Sequence, residues 1–377
     1  MSLESLTSIS RFYGSNPDYV LAGGGNTSWK DGDTLYVKGS GMPLAGVTPD
    51  SFVKMDRKAL ARIWEKQYPE SNDERESAVL ADMMTARMAG EEQKRPSVEA
   101  LLHNLLPFAY VVHLHPALVN GLTCSQRGES AMKEIFGIEA VWIPSSNPGY
   151  ILAKTVKTEM ETYSARYGKP PAIIFMQNHG VFAGDSSVEG VKQLYDFIMR
   201  KIGSLVQREP CFTDEQRTLS DCASVGGVGK TLAELAKGVA VFMQCKEVAA
   251  LVKDRGSFAP VTSAFSPDHI VYAGSDPLFI GTDTEAGINE AMIQKAWSSH
   301  VQKNGRNPKI IAVQGTGVFG AGVNEKAANF ALDLFKDTIR VSVYAECFGG
   351  PLFMTQDKID FINNWEVERF RTSISAK

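Results

Sequence analysis

Short apolar runs alternate with amphipathic stretches along the first half of the chain. Apolar residues at helical spacing predict helices over 57–68, 74–89, 98–106, 151–167 and 186–206. Compact runs rich in apolar, β-branched and aromatic residues predict strands over 34–37, 109–115, 140–143 and 172–176. Because strands and helices alternate in sequence, the pattern predicts the α/β class.

A polar, loop-like stretch over residues 208–230 interrupts this alternation. Such a composition is typical of a boundary or a long connection. We therefore predict two units, a catalytic domain over residues 1–208 and a C-terminal α/β module over residues 209–377. The sequence assigns no chemistry of its own to the second unit, which we expect to be structural and to assist oligomerisation.

A short segment of the second unit is similar in sequence to a segment of the first, and we call this similarity the sequence echo. Segment 310–321, IIAVQGTGVFGA, matches segment 173–184, IIFMQNHGVFAG, at six of twelve positions with a fixed offset of 137 residues. Two explanations stay open, namely chance similarity between strand–turn–helix units and a degenerate internal repeat. If the repeat is real, Thr316 replaces His179, and only one metal site per chain is expected.

Composition excludes several classes of function. The net charge of −4 gives no indication of a basic surface that would bind nucleic acid or an anionic membrane. No apolar run approaches the roughly 20 residues that a membrane helix needs. The start MSLESLTSISRFYG lacks the pattern of a secretory signal, and the five cysteines are widely spaced. We expect a cytoplasmic protein with free thiols.

Three histidines form the strongest candidate for chemistry. His113 and His115 are two residues apart on a predicted strand, so their side chains point to the same face. His179 lies in the turn Gln-Asn-His-Gly that follows another buried strand. Three neutral imidazoles leave a tetrahedral metal one open position, as in catalytic zinc sites.

Glu99 begins the helix that leads into the His-x-His strand. Alone it is typical of a solvated carboxylate that favours the helix dipole. Beside a metal it gains a role in moving protons on a substrate whose carbonyl the metal polarises.

Two glycine-containing segments, GGGNTS at 23–28 and KGSG at 38–41, precede these residues. Exposed backbone N–H groups and small hydroxyls in such loops can bind anions. Ser97, a candidate helix N-cap, adds a further donor. Together they predict a site for a phosphate or a sugar oxyanion.

The segments GGGNTS, KGSG, PSVE, VVHLHP and QNHGVFAG occur in the order of a known family. The chain resembles the class II aldolases, which include fuculose-phosphate and rhamnulose-phosphate aldolases and ribulose-phosphate 4-epimerase, with adducin as a non-catalytic relative. The similarity is closest to the aldolase half of two-part rhamnulose-phosphate aldolase/short-chain dehydrogenase proteins. There it extends through PDHIVYAGSDPLFIG (267–281) and GGPLF (349–353).

The resemblance implies a three-layer αβα fold and a homo-oligomer, specifically a homotetramer. It also implies Zn²⁺ or another divalent metal bound by the three histidines. It makes Glu99 the proton-transferring residue. The implied reaction is cleavage of a ketose 1-phosphate, a small sugar phosphate, to dihydroxyacetone phosphate and an aldehyde. The residues that it implies for the phosphate end are Asn26, Thr27, Ser40, Gly41 and Ser97.

One departure from the family pattern keeps alternatives open. Many of these aldolases carry a second hydroxyl residue before the catalytic Glu, where this chain has Val98. A decarboxylase or epimerase of sugar acids or sugar phosphates therefore remains an alternative, as does an adducin-like binding protein. Glu99 favours bond cleavage because the epimerase branch carries Asp there, and the retained histidines argue against a purely structural role.

Overall fold

A computed structural model of the chain describes residues 2–219, 226–282 and 287–365. Its strands form two sheets, one of seven strands in the first half and one of five in the second. Separate apolar cores lie on the two faces of each sheet, because helices cover both faces. The fold is therefore α/β with helix–sheet–helix layers, as predicted.

The elements of the first half are α1 (Leu3–Gly14), β1 (Asn26–Asp31), β2 (Thr34–Lys38), β3 (Phe52–Asp56), α2 (Arg57–Arg62), α3 (Asn72–Thr85), α4 (Ala100–Leu105), β4 (Tyr110–Leu114), α5 (Ala117–Thr123), α6 (Gly128–Phe136), β5 (Ala140–Ile143), α7 (Tyr150–Tyr167), β6 (Ile173–Met176), β7 (Gly180–Asp185) and α8 (Val188–Gly203). Those of the second half are β8 (Gln216–Leu219), α9 (Gly226–Ala236), β9 (Val239–Gln244), α10 (Lys246–Leu251), α11 (Arg255–Phe258), β10 (Leu278–Ile280), α12 (Glu290–Asn304), β11 (Ile310–Val313), β12 (Gly317–Gly322), α13 (Glu325–Ala345) and α14 (Gln356–Asn364).

Three strands of the first sheet, β1, β3 and β7, were not predicted. β1 occupies part of a stretch that was interpreted as a glycine loop, and β7 follows directly after the turn at His179. β7 contains two glycines because its neighbours leave no room for side chains. A Cβ added at Gly184 would lie 2.5 Å from the ring of Phe108. Glycine lowers the strand signal in sequence while permitting this close packing.

The two sheets share an arrangement of five strands. The first contains the order β1-β4-β7-β6-β5 and the second the order β8-β9-β12-β11-β10. All neighbouring pairs are antiparallel except β5–β6 and β10–β11, which are parallel. The corresponding strands also follow each other in the same chain order. This shared topology favours the second explanation of the sequence echo, an internal repeat.

The turn at the centre of the echo is repeated in atomic detail. The Gln177 N–H donates to the last carbonyl of β5 at 3.0 Å, and the Gln314 N–H donates to the last carbonyl of β10 at 2.9 Å. The next residues, Asn178 and Gly315, both adopt a left-handed backbone, with φ of 57° and 68°. The repeat therefore preserves the scaffold of the turn.

The strand register and the 137-residue offset give the second-half counterparts of the three histidines. These counterparts are, in chain order, Phe242, Gln244 and Thr316. Transition metals prefer imidazole, thiolate and carboxylate ligands, so this trio does not reproduce a metal site.

The two halves are joined at a close contact between helices α5 and α13. Gly121 of α5 lies against Tyr344 of α13, where an added Cβ would stand 2.3 Å from the Tyr344 Cβ. No helix among the described residues combines the length and the apolar character needed to cross a bilayer.

We predict that Gly121→Ala lowers the free energy of unfolding by about 1–3 kcal/mol, because the added methyl group overpacks this contact. The control is Gly203→Ala at the end of α8, where the nearest atom to an added Cβ is 3.6 Å away. That change should alter stability by less than about 1 kcal/mol. Urea unfolding of both variants measures the difference, and equal effects would contradict the proposed tightness of the contact.

Candidate metal centre and active site

The structure brings the three predicted metal ligands together. His113 lies in β4, His115 one residue beyond its end, and His179 in the turn between β6 and β7. The ring centroids of His113 and His115 are 4.6 Å apart, and His179 lies 5.1 and 5.3 Å from them. One ligand atom from each side chain falls within 4.8 Å of the others. This spacing suits a single divalent ion.

Two residues beside His179 make this approach possible. Asn178 takes the left-handed conformation, which Asn tolerates better than most residues. At Gly180 an added Cβ would lie 2.5 Å from the Leu114 carbonyl oxygen and 2.6 Å from the His115 ring. The sequence Asn-His-Gly therefore lets the turn fold tightly against the end of β4.

Hydrogen bonds fix the tautomers of two of the histidines. His113 Nδ1 lies 3.1 Å from the Val181 carbonyl oxygen, and His115 Nδ1 lies 2.6 Å from Asp268 Oδ2. Both oxygens are acceptors, so both Nδ1 atoms carry the proton and both Nε2 atoms present lone pairs. These two Nε2 atoms lie only 2.8 Å apart.

Two lone pairs at that distance repel each other unless a cation lies between or beside them. The residues therefore fit a divalent metal that prefers imidazole nitrogen, such as zinc. Burial lowers the pKa of His113 well below its usual value, which favours the neutral ring that a metal requires.

Glu99 lies against the histidines. Its Oε2 is 3.5 Å from His113 Nε2, and its Oε1 is 3.2 Å from His179 Nε2. Oε1 accepts no hydrogen bond of good geometry from the described residues. Burial opposes ionisation, but the electrostatic interactions with His113 and His179 and the Asn26 amide hold the pKa of Glu99 well below its usual value. The group is a carboxylate with one oxygen available.

A chain of buried polar side chains orients Glu99. The Asn26 Nδ2 donates to Glu99 Oε2 at 2.5 Å, and the Asn26 Oδ1 contacts His103 Nε2. His103 Nδ1 in turn lies 2.7 Å from Ser28 Oγ. Burial lowers the pKa of His103 to about 3, so the ring is neutral. His103 is therefore connected to Glu99 through Asn26.

Helix α4 begins later than predicted, so that Glu99 is its N-cap residue. Ser97, the residue predicted for that position, lies before the cap, and its Oγ accepts a hydrogen bond from the Glu99 N–H at 3.2 Å. The catalytic candidate is thus held by its own backbone as well as by Asn26.

A cavity opens above the histidines and receives residues from both halves of the chain. Its lining residues are Gly23, Gly25, Asn26, Lys38, Ser40, Gly41, Ser97, Val98, Glu99, His115, Pro148, His179, Pro267, Asp268 and Trp365. Four of the five residues predicted for the substrate end are among them.

Thr27 is the exception. Adjacent residues of a strand point to opposite faces, so Asn26 faces the cavity and Thr27 faces away from it. The Thr27 hydroxyl lies 2.7 Å from Ser10 Oγ of α1, and the side chain is fully buried there. The structure thus gives Thr27 a packing role.

Several backbone N–H groups around the expected anion nest already donate to carbonyl oxygens within the protein. The Ser40 N–H donates to the Arg95 carbonyl at 2.8 Å, and the Ser97 N–H donates to the Lys38 carbonyl at 3.0 Å. These bonds bring the Lys-Gly-Ser-Gly loop against the residues before α4. The hydroxyl groups of Ser40 and Ser97 are further candidate donors at the cavity.

Sequence reasoning missed Lys38, Asp268 and Trp365 as lining residues. The Lys38 side chain is almost fully buried, and its Nζ donates to the Met42 carbonyl at 2.6 Å. Its position beside Ser40 was the available signal. Asp268 and Trp365 come from the second half, where no local pattern connects them to the histidines.

Comparisons with known proteins match this chain to a family. The family model for the class II aldolase and adducin N-terminal domain matches residues 4–200. A Bacillus subtilis (strain 168) protein, the uncharacterized oxidoreductase YuxG, is 23% identical over 420 aligned positions that cover 99% of this chain. The chain spans 58% of the length of that relative.

Two solved structures are also similar. One is an N-terminal class II aldolase domain from Thermoplasma acidophilum, with 24% identity, a TM-score of 0.46, and coverage of 55% of this chain and 94% of that one. The other is L-fuculose-1-phosphate aldolase from Thermus thermophilus, with 14% identity, a TM-score of 0.35, and coverage of 54% and 91%. On the family-model match, which covers more than half of its residues, the chain belongs to the class II aldolase and adducin family.

Proposed function

We propose that this protein is a divalent-metal-dependent aldolase that cleaves a ketose 1-phosphate of the rhamnulose- or fuculose-phosphate type. The products are dihydroxyacetone phosphate and an aldehyde. The observation that carries the proposal is the available carboxylate oxygen of Glu99, 3.2 Å from His179 and at the wall of the cavity. A purely structural histidine cluster has no need of such a group.

The metal would be held by His113, His115 and His179. When bound, it polarises the carbonyl of the substrate and stabilises the negative charge that develops on the part that becomes dihydroxyacetone phosphate. His113 and His115 can bind the metal through Nε2 without losing a proton. This is because their protons are on Nδ1, where they are directed to Val181 and Asp268.

Glu99 is the proton-transferring residue. Asn26 holds one carboxylate oxygen, and we assign to the substrate the other, Oε1, which accepts no hydrogen bond of good geometry from the described residues. In the cleavage direction the hydroxyl beside the breaking bond loses a proton as it becomes the aldehyde carbonyl. Glu99, protonated from that hydroxyl or from solvent, then delivers a proton to the carbon that has lost the aldehyde part. In the reverse direction it removes a proton from dihydroxyacetone phosphate, and this reversibility requires that both protonation states be reached during turnover.

The substrate's anionic end is assigned to the side of the cavity formed by Ser40, Gly41 and Ser97. The two hydroxyls donate hydrogen bonds, and Gly41 leaves space for the ligand. Buried Lys38 contributes positive charge to the same wall. A phosphate is the group best matched by hydroxyl donors beside an ammonium.

Val98 supports a second candidate function. It lines the cavity beside Ser97 and offers no hydrogen bond to a phosphate. A smaller or differently charged substrate, such as a sugar acid undergoing decarboxylation or epimerisation, would require fewer donors on this wall. The metal and Glu99 would serve either reaction.

We further propose a cytoplasmic location and a homo-oligomer. The chain spans only part of its curated relative, and no oxidoreductase activity is included in this proposal.

The first test is metal content. We expect purified protein to bind one divalent ion per chain, and His113→Ala to bind less than about a tenth of that amount, because two nitrogens cannot hold the ion firmly. Inductively coupled plasma mass spectrometry after gel filtration measures the ratio. His300→Ala is the matched control, since His300 lies in α12 and contacts Asn304. Equal metal content in all three proteins would remove the metal centre from the proposal.

The second test concerns Glu99. We predict that Glu99→Gln keeps its metal but exchanges the carbon-bound proton of dihydroxyacetone phosphate with solvent about 10²–10⁴-fold more slowly. Proton NMR in D₂O follows the exchange. Glu91→Gln provides the control, because Glu91 is also buried but pairs with Lys94. Exchange at the normal rate in Glu99→Gln would show that another group moves the proton.

A substrate panel separates the two candidate functions. Incubation with ketose 1-phosphates should release dihydroxyacetone phosphate, detected by a coupled reductase assay. Release of carbon dioxide from sugar acids, with no activity on ketose phosphates, would replace the aldolase proposal by the decarboxylase alternative. If the metal-loaded protein acts neither on ketose 1-phosphates nor on sugar acids, an adducin-like binding protein becomes the favoured function.

A further inference from the structure

We propose that Asp268, supplied by the second repeat, is a positioning residue for His115, so that the metal centre is built jointly by the two halves of the chain. The inference deepens the proposed function, since it rests on the histidines holding a metal. It assigns to the C-terminal half a direct part in the site, where the sequence suggested only a structural module.

The first observation is the contact itself. Asp268 Oδ2 lies 2.6 Å from His115 Nδ1, and Asp268 is only 4% exposed. A carboxylate at this nitrogen fixes the tautomer and the ring orientation, and it raises the basicity of the opposite nitrogen. That opposite nitrogen, Nε2, is the one directed at His113.

The second observation is that Asp268 is held in place by its own repeat. The next residue, His269, begins a short π-helical turn, His269–Ala273. His269 Nε2 donates to Asp337 Oδ2 of α13 at 3.0 Å, and its Nδ1 lies 3.2 Å from Ser266 Oγ. The backbone around Asp268 is thereby attached to the longest helix among the described residues of the second half.

The third observation is the shape of the glycine loop in the first half. A Cβ added at Gly24 would lie 2.4 Å from Asp268 Oδ2, and one at Gly23 would lie 2.7 Å from the Tyr272 hydroxyl oxygen. These two glycines let the segment around Asp268 approach the loop before β1. Their role is thus to admit the second repeat, and Gly23 also borders the cavity.

A second contact from the same half supports the turn of His179. The Asn178 Nδ2 donates to the Leu352 carbonyl at 2.8 Å, and the Leu352 N–H donates to the Cys124 carbonyl at 2.7 Å. Two of the three histidines therefore receive support from residues of the second half.

The alternative is an ordinary buried His–Asp pair that only stabilises the fold. The pair His269–Asp337 is of that kind, because both nitrogens of His269 are used within the second half. His115 lines the cavity and differs in that its second nitrogen is directed at His113, another predicted metal ligand. A positioning role therefore predicts a change in metal affinity, whereas a packing role predicts a change in stability alone.

The test compares Asp268→Ala and Asp268→Asn with the unmodified full chain. Zn²⁺ affinity is measured by competition with a chromophoric chelator, and the visible absorption of the Co²⁺-loaded protein reports ligand geometry. We expect about 10–100-fold weaker binding in Asp268→Ala, the range typical for loss of such a partner. Asp268→Asn should lose less, because its amide oxygen still accepts the Nδ1 proton. Both should alter the Co²⁺ spectrum.

Asp276→Asn is the matched control. It makes the same substitution in the same half, at a residue that pairs with Arg306 and lies outside the cavity. Its metal affinity and Co²⁺ spectrum should equal those of the unmodified chain. Gly24→Ala gives an independent approach, since its methyl group displaces the Asp268 carboxylate without removing it, and we expect weaker metal binding there too.

The outcomes separate this inference from the proposed function. Unchanged Zn²⁺ affinity in Asp268→Asn and Gly24→Ala, with binding lost in His113→Ala, would leave the metal centre intact and overturn the role of Asp268. Absence of metal binding in the unmodified chain would overturn both. If Asp268→Ala fails to fold, the Asn variant and Gly24→Ala still decide, and thermal unfolding in excess chelator separates any loss of stability from loss of metal.

Discussion

Two imidazole nitrogens, each presenting a lone pair, face one another 2.8 Å apart at the centre of this molecule. The arrangement is unfavourable without a cation, and it exists because both opposite nitrogens are committed to fixed acceptors. The end of β4, the tight turn at Gly180 and the carboxylate of Asp268 all serve to maintain it. The cavity and the orientation of Glu99 are arranged around the same point.

The internal repeat explains why residues from both halves of the chain contact the three histidines and the residues beside them. Both copies keep the five-strand arrangement and the turn with a left-handed residue, but only the first keeps the ligands. The second copy, free of the requirement to bind metal, packs α13 against α5 and directs Asp268 and Leu352 toward the histidines. The three histidines lie in one copy, and the other contributes contacts to His115 and to the turn of His179.

Much of the first half was predictable from sequence because its signals are local. The alternation that places His113 and His115 on one face, and the turn that carries His179, follow from strand geometry. Thr27 was misplaced because the strand that turns it away from the cavity was hidden among glycines. Asp268 could not be found, since it lies 153 residues from His115 and its role depends on how the two repeats pack.

The support given by the second repeat also has a consequence for biosynthesis. A ribosome that adds about 5–20 residues per second needs roughly 9–35 seconds to proceed from His179 to Leu352, a distance of 173 residues. The three histidines leave the ribosome well before the residues that orient them. Under the proposed roles of the histidines and Asp268, metal loading belongs to the end of chain maturation, when the second repeat has docked, and not to the moment when the histidines first emerge.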